Sequence, residues 1–253
     1  MDVLNTSTLP LGKAQAMSTT ETLEIACPTC GHGQNVPAMA SANVQRFPAV
    51  RQQLIDGTFM RFACTACQLP FVVEREMLYT DLEGHLFIGV FPTARRGNAT
   101  EFETVIESVY QETFVKEPPA ALRAVLGELR RRIVFGYEEL REKVMCFGAG
   151  LDDRLLEVLK VMLLRAQGSQ EGASGSTTRR LSLQHVTADG ALWLAILPDE
   201  GAVDEPLLRV ERTVYDQLAA EEERLSLVLG PLYAGLYVHI ERCGSVLDAL
   251  IDK

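Results

Sequence analysis

Cys27-Pro28-Thr29-Cys30 and Cys64-Thr65-Ala66-Cys67 decide how this chain is read. Each Cys-x-x-Cys pair puts two thiols on one tight turn, and two such turns brought together make a tetrahedral sulfur cage of the kind that holds zinc in ribbons and knuckles. The spacing predicts that Cys27, Cys30, Cys64 and Cys67 bind one divalent ion, Zn2+, with sulfurs about 3.5 to 4 Å apart, as Zn–S bonds of about 2.3 Å require. Iron suits the same sulfur tetrahedron. Four thiolates close the coordination shell, so the ion is expected to hold the fold rather than activate water, and no catalytic or organic-cofactor residue is assigned.

Working outward, Leu23-Glu24-Ile25-Ala26 alternates as a strand entering the first pair, and Gln34-Asn35-Val36-Pro37 leads out past Gly31 and Gly33. Phe59 to Ala63 and Leu69 to Glu74 flank the second pair in the same way. Between the pairs lie 33 residues, within which Pro48 to Gly57 fits a helix, with proline near its first turn and glycine just past its end. Residues His85 to Phe91 form a further hairpin arm after the turn Asp81-Leu82-Glu83-Gly84 and stop at Pro92.

Cys27-Pro28-Thr29-Cys30-Gly31, Asn43-Val44, the proline-led helix ending Asp56-Gly57, Phe59 to Cys64, Cys67, Leu78-Tyr79-Thr80-Asp81 and the strand before Pro92 resemble the bacterial CpXC domain family. Such domains are named for two Cys-Pro-x-Cys motifs. The similarity continues through Arg132-Ile133-Val134, Glu139 to Val144 and Gly150 to Arg154, covering roughly residues 23 to 165. In the second motif Thr65 stands in the proline position and Gln68 in the position usually taken by glycine, while both thiols are kept. The resemblance implies the metal site and the fold. It implies no reaction, because the family carries no assigned activity.

At 253 residues and 47% hydrophobic, the chain can bury a core well beyond what metal staples hold, as one large domain or two ordinary ones. Lys+Arg 24 against Asp+Glu 34 gives a formal charge of -10, which repels phosphate backbones and anionic membranes. The ribbon itself is neutral, with four acidic and four basic side chains over residues 21–75. Six cysteines, four of them in metal-type pairs, imply a reducing compartment, read as the cytoplasm. No basic region followed by an apolar stretch opens the chain, so no export signal is expected, and residues 1–20 read as a disordered leader. The longest apolar run, Leu225 to Ile240, is interrupted by Gly230, Pro231 and Gly235; it falls short of the roughly 20 residues of a membrane span and reads as a buried helix.

Downstream, Thr100-Glu101-Phe102-Glu103 reads as a capping box opening a helix with Phe102, Val105, Ile106, Val109, Tyr110 and Phe114 on one face. A helix over 120–131, a short strand at Ile133-Val134-Phe135, and helices over 138–147 and 151–165 follow; Asp152 or its neighbour caps the last, and Leu155, Val158, Leu159, Met162 and Leu163 form its core stripe. The segment 168–178 reads as a linker. Beyond it, Leu181 to Val186 and Ala191 to Leu197 flank Ala188-Asp189-Gly190 as a hairpin, and helices are expected from Thr213 to about Leu225 and from Pro231 to Leu250.

The expected fold is α+β: a leader over 1–20, a CpXC-like zinc-ribbon domain of antiparallel β-structure with a helical extension over 21–167, a linker over 168–178, and a small C-terminal α+β unit over 179–253. His32 reads as solvent-facing or as a neighbour of the ligands, not as a ligand. His239 and Cys243, four residues apart, read as helix packing, and Cys146 as a small buried hydrophobe. Arg130-Arg131-Arg132, with Arg123 one helical stack away, reads as a solvated, salt-bridged face among Glu128, Glu138 and Glu139. The function expected is a structural-zinc module acting through contacts with an unidentified protein partner, without membrane or nucleic acid. Two alternatives remain: a nucleic-acid-associated ribbon, opposed by the charge, and an enzyme whose cleft gathers Asp81, His85 and others.

Overall fold

A computed structural model describes residues 19–116, 129–168, 180–197 and 206–243. Most of the leader, residues 120–128 of the helix expected over 120–131, Arg123 among them, nearly all of the 168–178 segment and the end of the helix expected to reach Leu250 lie outside the described residues. So does the side chain of Cys243. The end of the first of these helices, Arg130 and Arg131, lies in a strand. The chain is an α+β protein of two compact units, the first comprising Met1–Gln53 and Thr58–Gly136, the second Leu54–Gly57 and Tyr137–Lys253.

In the first unit, β1 (Thr19–Ala26) pairs antiparallel with β2 (Gly33–Asn43), and the first cysteine pair sits in the turn between them. Helix α1 (Ala49–Ile55) starts directly after Pro48, whose fixed φ suits a first turn. The ribbon of β3 (Arg61–Ala63) and β4 (Pro70–Val72) then carries the second pair at its tip. Strands β5 (Met77–Asp81) and β6 (Leu86–Phe91) form the predicted hairpin. After a 3-10 turn, Thr93–Asn98, helix α2 (Ala99–Tyr110) continues into wider π-type turns over Gln111–Lys116, and β7 (Arg130–Phe135) follows the undescribed segment.

The five strands order as β1-β2-β5-β6-β7, and here the expectation of an antiparallel sheet needs correction. β2 and β5 are parallel, as are β6 and β7. Parallel neighbours need long crossovers. The chain supplies them as α1 with the ribbon in one case and as the α2 segment in the other, so the second knuckle is an insertion between parallel strands. Strand β6 is central and buried at all six positions, which explains its unbroken apolar run Leu-Phe-Ile-Gly-Val-Phe. Its side chains meet α2: Phe91 stacks on Phe102 at 3.9 Å between ring centres, and Phe87 packs against Tyr110 and Phe114. A Cβ on Gly89 would lie 2.5 Å from Ile106, so glycine is what lets the helix sit this close to the sheet.

The expected capping box is not used. Asn98 occupies the N-cap and its amide bonds Glu101 at 3.1 Å, placing Thr100 inside the first turn. The basic cluster is also relocated, from a helix end to β7. Arg131 there pairs with Glu107 of α2 at 2.7 Å and lies 4.8 Å from the Tyr110 ring.

In the second unit, α3 (Tyr137–Gly148) and α4 (Asp153–Gly168) precede a three-stranded antiparallel sheet ordered β10-β9-β8. Asp152 caps α4 as expected, accepting from the Arg154 backbone N–H at 2.8 Å. The predicted hairpin is β8 (Arg180–Val186) and β9 (Leu192–Leu197); β10 (Leu207–Val210), too short to show a period, was not anticipated. One hydrophobic core takes in Leu155, Leu156, Val158 and Leu159 of α4, Leu181 and Leu183 of β8, and Leu192 and Leu194 of β9. The boundary expected at 168–178 falls between elements that share this core, whereas the compact units part at Gly136. A linker-like composition reports solvation of the segment itself and says nothing about what its flanks pack against.

Three further expectations are corrected in this unit. Met162 is exposed, and Leu156 takes its place in the stripe. The helix from Thr213 is interrupted at Ala220-Glu221, giving α5 (Arg212–Ala219) and α6 (Glu222–Val228). The apolar run is not one buried helix: Leu227 is exposed, α7 (Gly230–Ala234) holds a single turn, and Gly235 leaves it in extended conformation. Glycine and proline at 230, 231 and 235 thus end helices here, as their backbone preferences dictate.

Among its described residues the second unit also buries five charged side chains, Glu142, Lys143, Asp153, Glu157 and Lys160. Lys160 Nζ bonds Glu142 at 2.5 Å and Glu157 at 2.6 Å, and Lys143 Nζ bonds Asp153 at 2.8 Å and the Val238 carbonyl at 3.0 Å. The Leu183 and Ile240 backbone N–H groups donate to Glu142 and Glu157.

Candidate metal centre

The two cysteine turns share one hydrogen-bond pattern. In the first, Cys27 N–H donates to the His32 carbonyl at 2.8 Å and Gly31 N–H to the Cys27 carbonyl at 2.9 Å. In the second, Cys64 N–H donates to the Leu69 carbonyl at 3.0 Å and Gln68 N–H to the Cys64 carbonyl at 2.9 Å. The residue after the second cysteine is left-handed in both, Gly31 with φ 73° and Gln68 with φ 61°. Glycine takes that conformation freely; glutamine does so against a steric cost. The motif's usual glycine therefore answers a backbone need that Gln68 meets under strain, with its side-chain amide donating to the Thr65 carbonyl at 3.2 Å.

The fold brings all four thiols together. Cys27 and Cys67 sulfurs are 3.8 Å apart, Cys30 and Cys64 sulfurs 3.6 Å, and all four lie within 4.8 Å of one another. A tetrahedron of Zn–S bonds of about 2.3 Å separates its sulfurs by about 3.8 Å, so donor type, number and spacing fit a four-thiolate metal site. Cys27 and Cys64, the first of each pair, are buried on Phe71 with Ile25, Phe62 and Val73 around them. Cys30 is exposed, and Cys67 is half-buried against the same cluster.

Backbone N–H groups prepare these sulfurs for charge. The Cys30 N–H, with that of Thr29, outweighs burial and draws the Cys27 thiol down to about 6. The Cys67 and Ala66 N–H groups lower Cys64 in the same way. For Cys30 the His32 N–H also pulls down, but burial and crowding by the other three sulfurs prevail and push it up to about 12. The backbone thus favours the thiolate at Cys27 and Cys64, the form in which a cysteine binds a metal ion.

The other sequence candidates stay apart from the cage. His32 is exposed and contributes its backbone. Cys146 is buried in the second unit, where burial pushes its thiol well up. His239 stacks on Tyr237 at 5.5 Å, ahead of a short 3-10 turn and not on a helix shared with Cys243. Asp81 is a turn residue: its Oδ1 accepts from Gly84 N–H and from the Gln45 amide, both at 2.9 Å. Sequence reasoning missed Gln34, which follows the first knuckle on β2 and bonds to the second. A lone polar residue on a strand carries no signal of such a role.

Two cysteine knuckles closing one sulfur cage on a mixed α+β scaffold define a cysteine-cluster protein fit to bind metal. A family model described as CpXC protein matches residues 25–160, more than half of the chain, and the chain belongs to that family. No curated protein matches it. Nor does any solved structure.

Proposed function

We propose that the protein is a structural-zinc module that acts through contacts with another protein. The observation that carries this reading is the closeness of four sulfurs whose number leaves no coordination position for a substrate. Cys27, Cys30, Cys64 and Cys67 would hold the ion, which fixes one knuckle against the other. The neutral ribbon and the charge of -10 oppose a nucleic-acid role. Asp81, which the enzyme alternative places in a cleft with His85 and others, is engaged in its own turn, and this weighs against that alternative. Leu69 and Val72, exposed on the second knuckle and its outgoing strand, supply apolar surface beside the site for a partner.

Metal analysis of the native protein tests the first part, with one zinc per chain expected and a folded, metal-free preparation overturning it. Affinity capture from lysate with native and Cys64→Ser proteins tests the second. A partner held by the native protein and lost by the variant supports the reading, and capture indifferent to the metal refutes the role of the site in it.

A further inference from the structure

We infer that Gln34 is a positioning residue for the metal-binding sulfurs, locking the second knuckle to the first. The inference rests on the metal reading above. Gln34 lies on β2 opposite Ile25, immediately beyond the first knuckle. Its Oε1 accepts the Thr65 backbone N–H at 2.8 Å and the Thr65 hydroxyl at 3.3 Å, while its Nε2 donates to the Ala63 carbonyl at 3.3 Å. One carboxamide therefore grips the chain on both sides of Cys64, whose buried sulfur sits 3.6 Å from that of Cys30.

The two knuckles show why the second needs this grip. At the position after its first cysteine the first knuckle has Pro28, whose ring fixes φ near -65° and which has no N–H to satisfy. The second knuckle has Thr65 there, freer in φ and with an N–H to place, and it carries the strained Gln68 where the first has Gly31. Restraint that proline and glycine build into the first turn is supplied to the second from outside, through the N–H that proline would lack. Groups that orient metal ligands without touching the metal commonly change affinity by about 10- to 100-fold.

Zinc transfer from the full-length protein to a chromogenic chelator tests this, with the visible spectrum of the cobalt-substituted protein reporting tetrahedral sulfur geometry. Gln34→Ala should release zinc about tenfold faster, the low end of the range for such residues. Gln34→Glu, which keeps the acceptor and loses the donor, should fall between the two. Thr65→Pro removes the same bond from the other side, so adding Gln34→Ala to it should accelerate release by no more than about twofold, as expected for groups that act as one pair. Release by Gln34→Ala within twofold of the native rate, or fully additive effects in the double variant, overturns the inference and leaves the metal site standing. A native protein without bound zinc overturns both.

Discussion

The first unit gathers the end of its sheet around four sulfurs, and the second buries three carboxylates and two ammonium groups in its interior. Both place polar groups out of water, and both satisfy them, but by different means. In the cage, on the function proposed above, the compensating charge would come from a bound ion. In the second unit it is covalently part of the chain, and every bond is made on folding. The difference teaches where stability is conditional: on the proposed reading the cage answers to an ion, and the ionic core answers to pH.

The largest effect should follow removal of the ion. Structural zinc in small modules contributes an apparent 10 to 16 kcal/mol, so a cage that loses it should lose its local order outright. With Cys64→Ser, or with excess chelator, hydrogen exchange should rise over residues 25–36 and 60–73, while β8 and β9 keep their protection, because Leu181, Leu183, Leu192 and Leu194 belong to a core with no sulfur ligand in it. Protection lost equally in the two units would break the comparison.

Next in size is Lys160→Met. The side chain is buried and holds Glu142 and Glu157 together, so the variant leaves two buried carboxylates without the cation that bridges them. Breaking a buried pair from one side typically costs about 3 to 5 kcal/mol. Urea titration followed at the single tryptophan, Trp193 on β9, should show the second unit unfolding early with zinc content unchanged. A variant as stable as the native protein would mean that Lys160 contributes packing alone.

The same core sets a pH window. Burial raises the Glu157 carboxyl, but Lys160, His239 and Lys143 outweigh it and hold the group below its usual range. Its contribution is present above about pH 4.3 and is lost as pH falls through the depressed folded value. Burial lowers Lys143, yet Asp153 and Glu157 hold it above its usual range, so that contribution is complete below about pH 10.4 and is lost as pH rises through the raised value. The denaturation midpoint of the second unit should be flat from about pH 4.3 to about 8.5, the ordinary thiol value above which the buried Cys146 begins to withdraw its own contribution, and should fall on both sides. A steady slope across neutral pH would show a different group in control.

How much of this could be read beforehand follows from the same contrast. The four-cysteine cluster was legible because cysteine spacing is chemistry written locally: four residues, two turns, one geometry. The hairpins at 81–85 and 187–191 were legible for the same reason. The parallel pairings were not, since nothing in β2 or β5 names its neighbour. Nothing local in the sequence marks Lys143 and Lys160 as buried, and only the packing of α3, α4 and β8 shows it. Gln34 was silent because its partner lies 31 residues away.

A sheet substitution sharpens the comparison within the first unit. Gly89→Ala would bring a Cβ to 2.5 Å from Ile106, and overpacking of this kind costs about 1 to 3 kcal/mol. It should lower the thermal stability of the β5–β6–α2 core and leave the cage's zinc release rate unchanged. Faster release would show that the cage is strained through the sheet.

The smallest expected effect separates the two knuckles. Gly31 and Gln68 hold equivalent left-handed positions, and a Cβ at Gly31 would meet nothing within 4 Å, so Gly31→Ala isolates backbone strain of about 1 kcal/mol. Gln68→Gly runs the other way. It relieves a similar strain, but it frees the unfolded chain at a cost of about 0.4 to 1 kcal/mol and gives up the exposed bond from Gln68 Nε2 to the Thr65 carbonyl. The terms nearly cancel, so Gln68→Gly should stabilise by less than about 1 kcal/mol, whereas Gly31→Ala destabilises. Zinc affinity from competition with a chelator, measured on both variants, reads the difference directly. Equal and opposite shifts would mean that the two turns are interchangeable and that side-chain restraint of the second adds nothing; a loss of affinity in Gln68→Gly would mean that its amide is a necessary second brace beside Gln34.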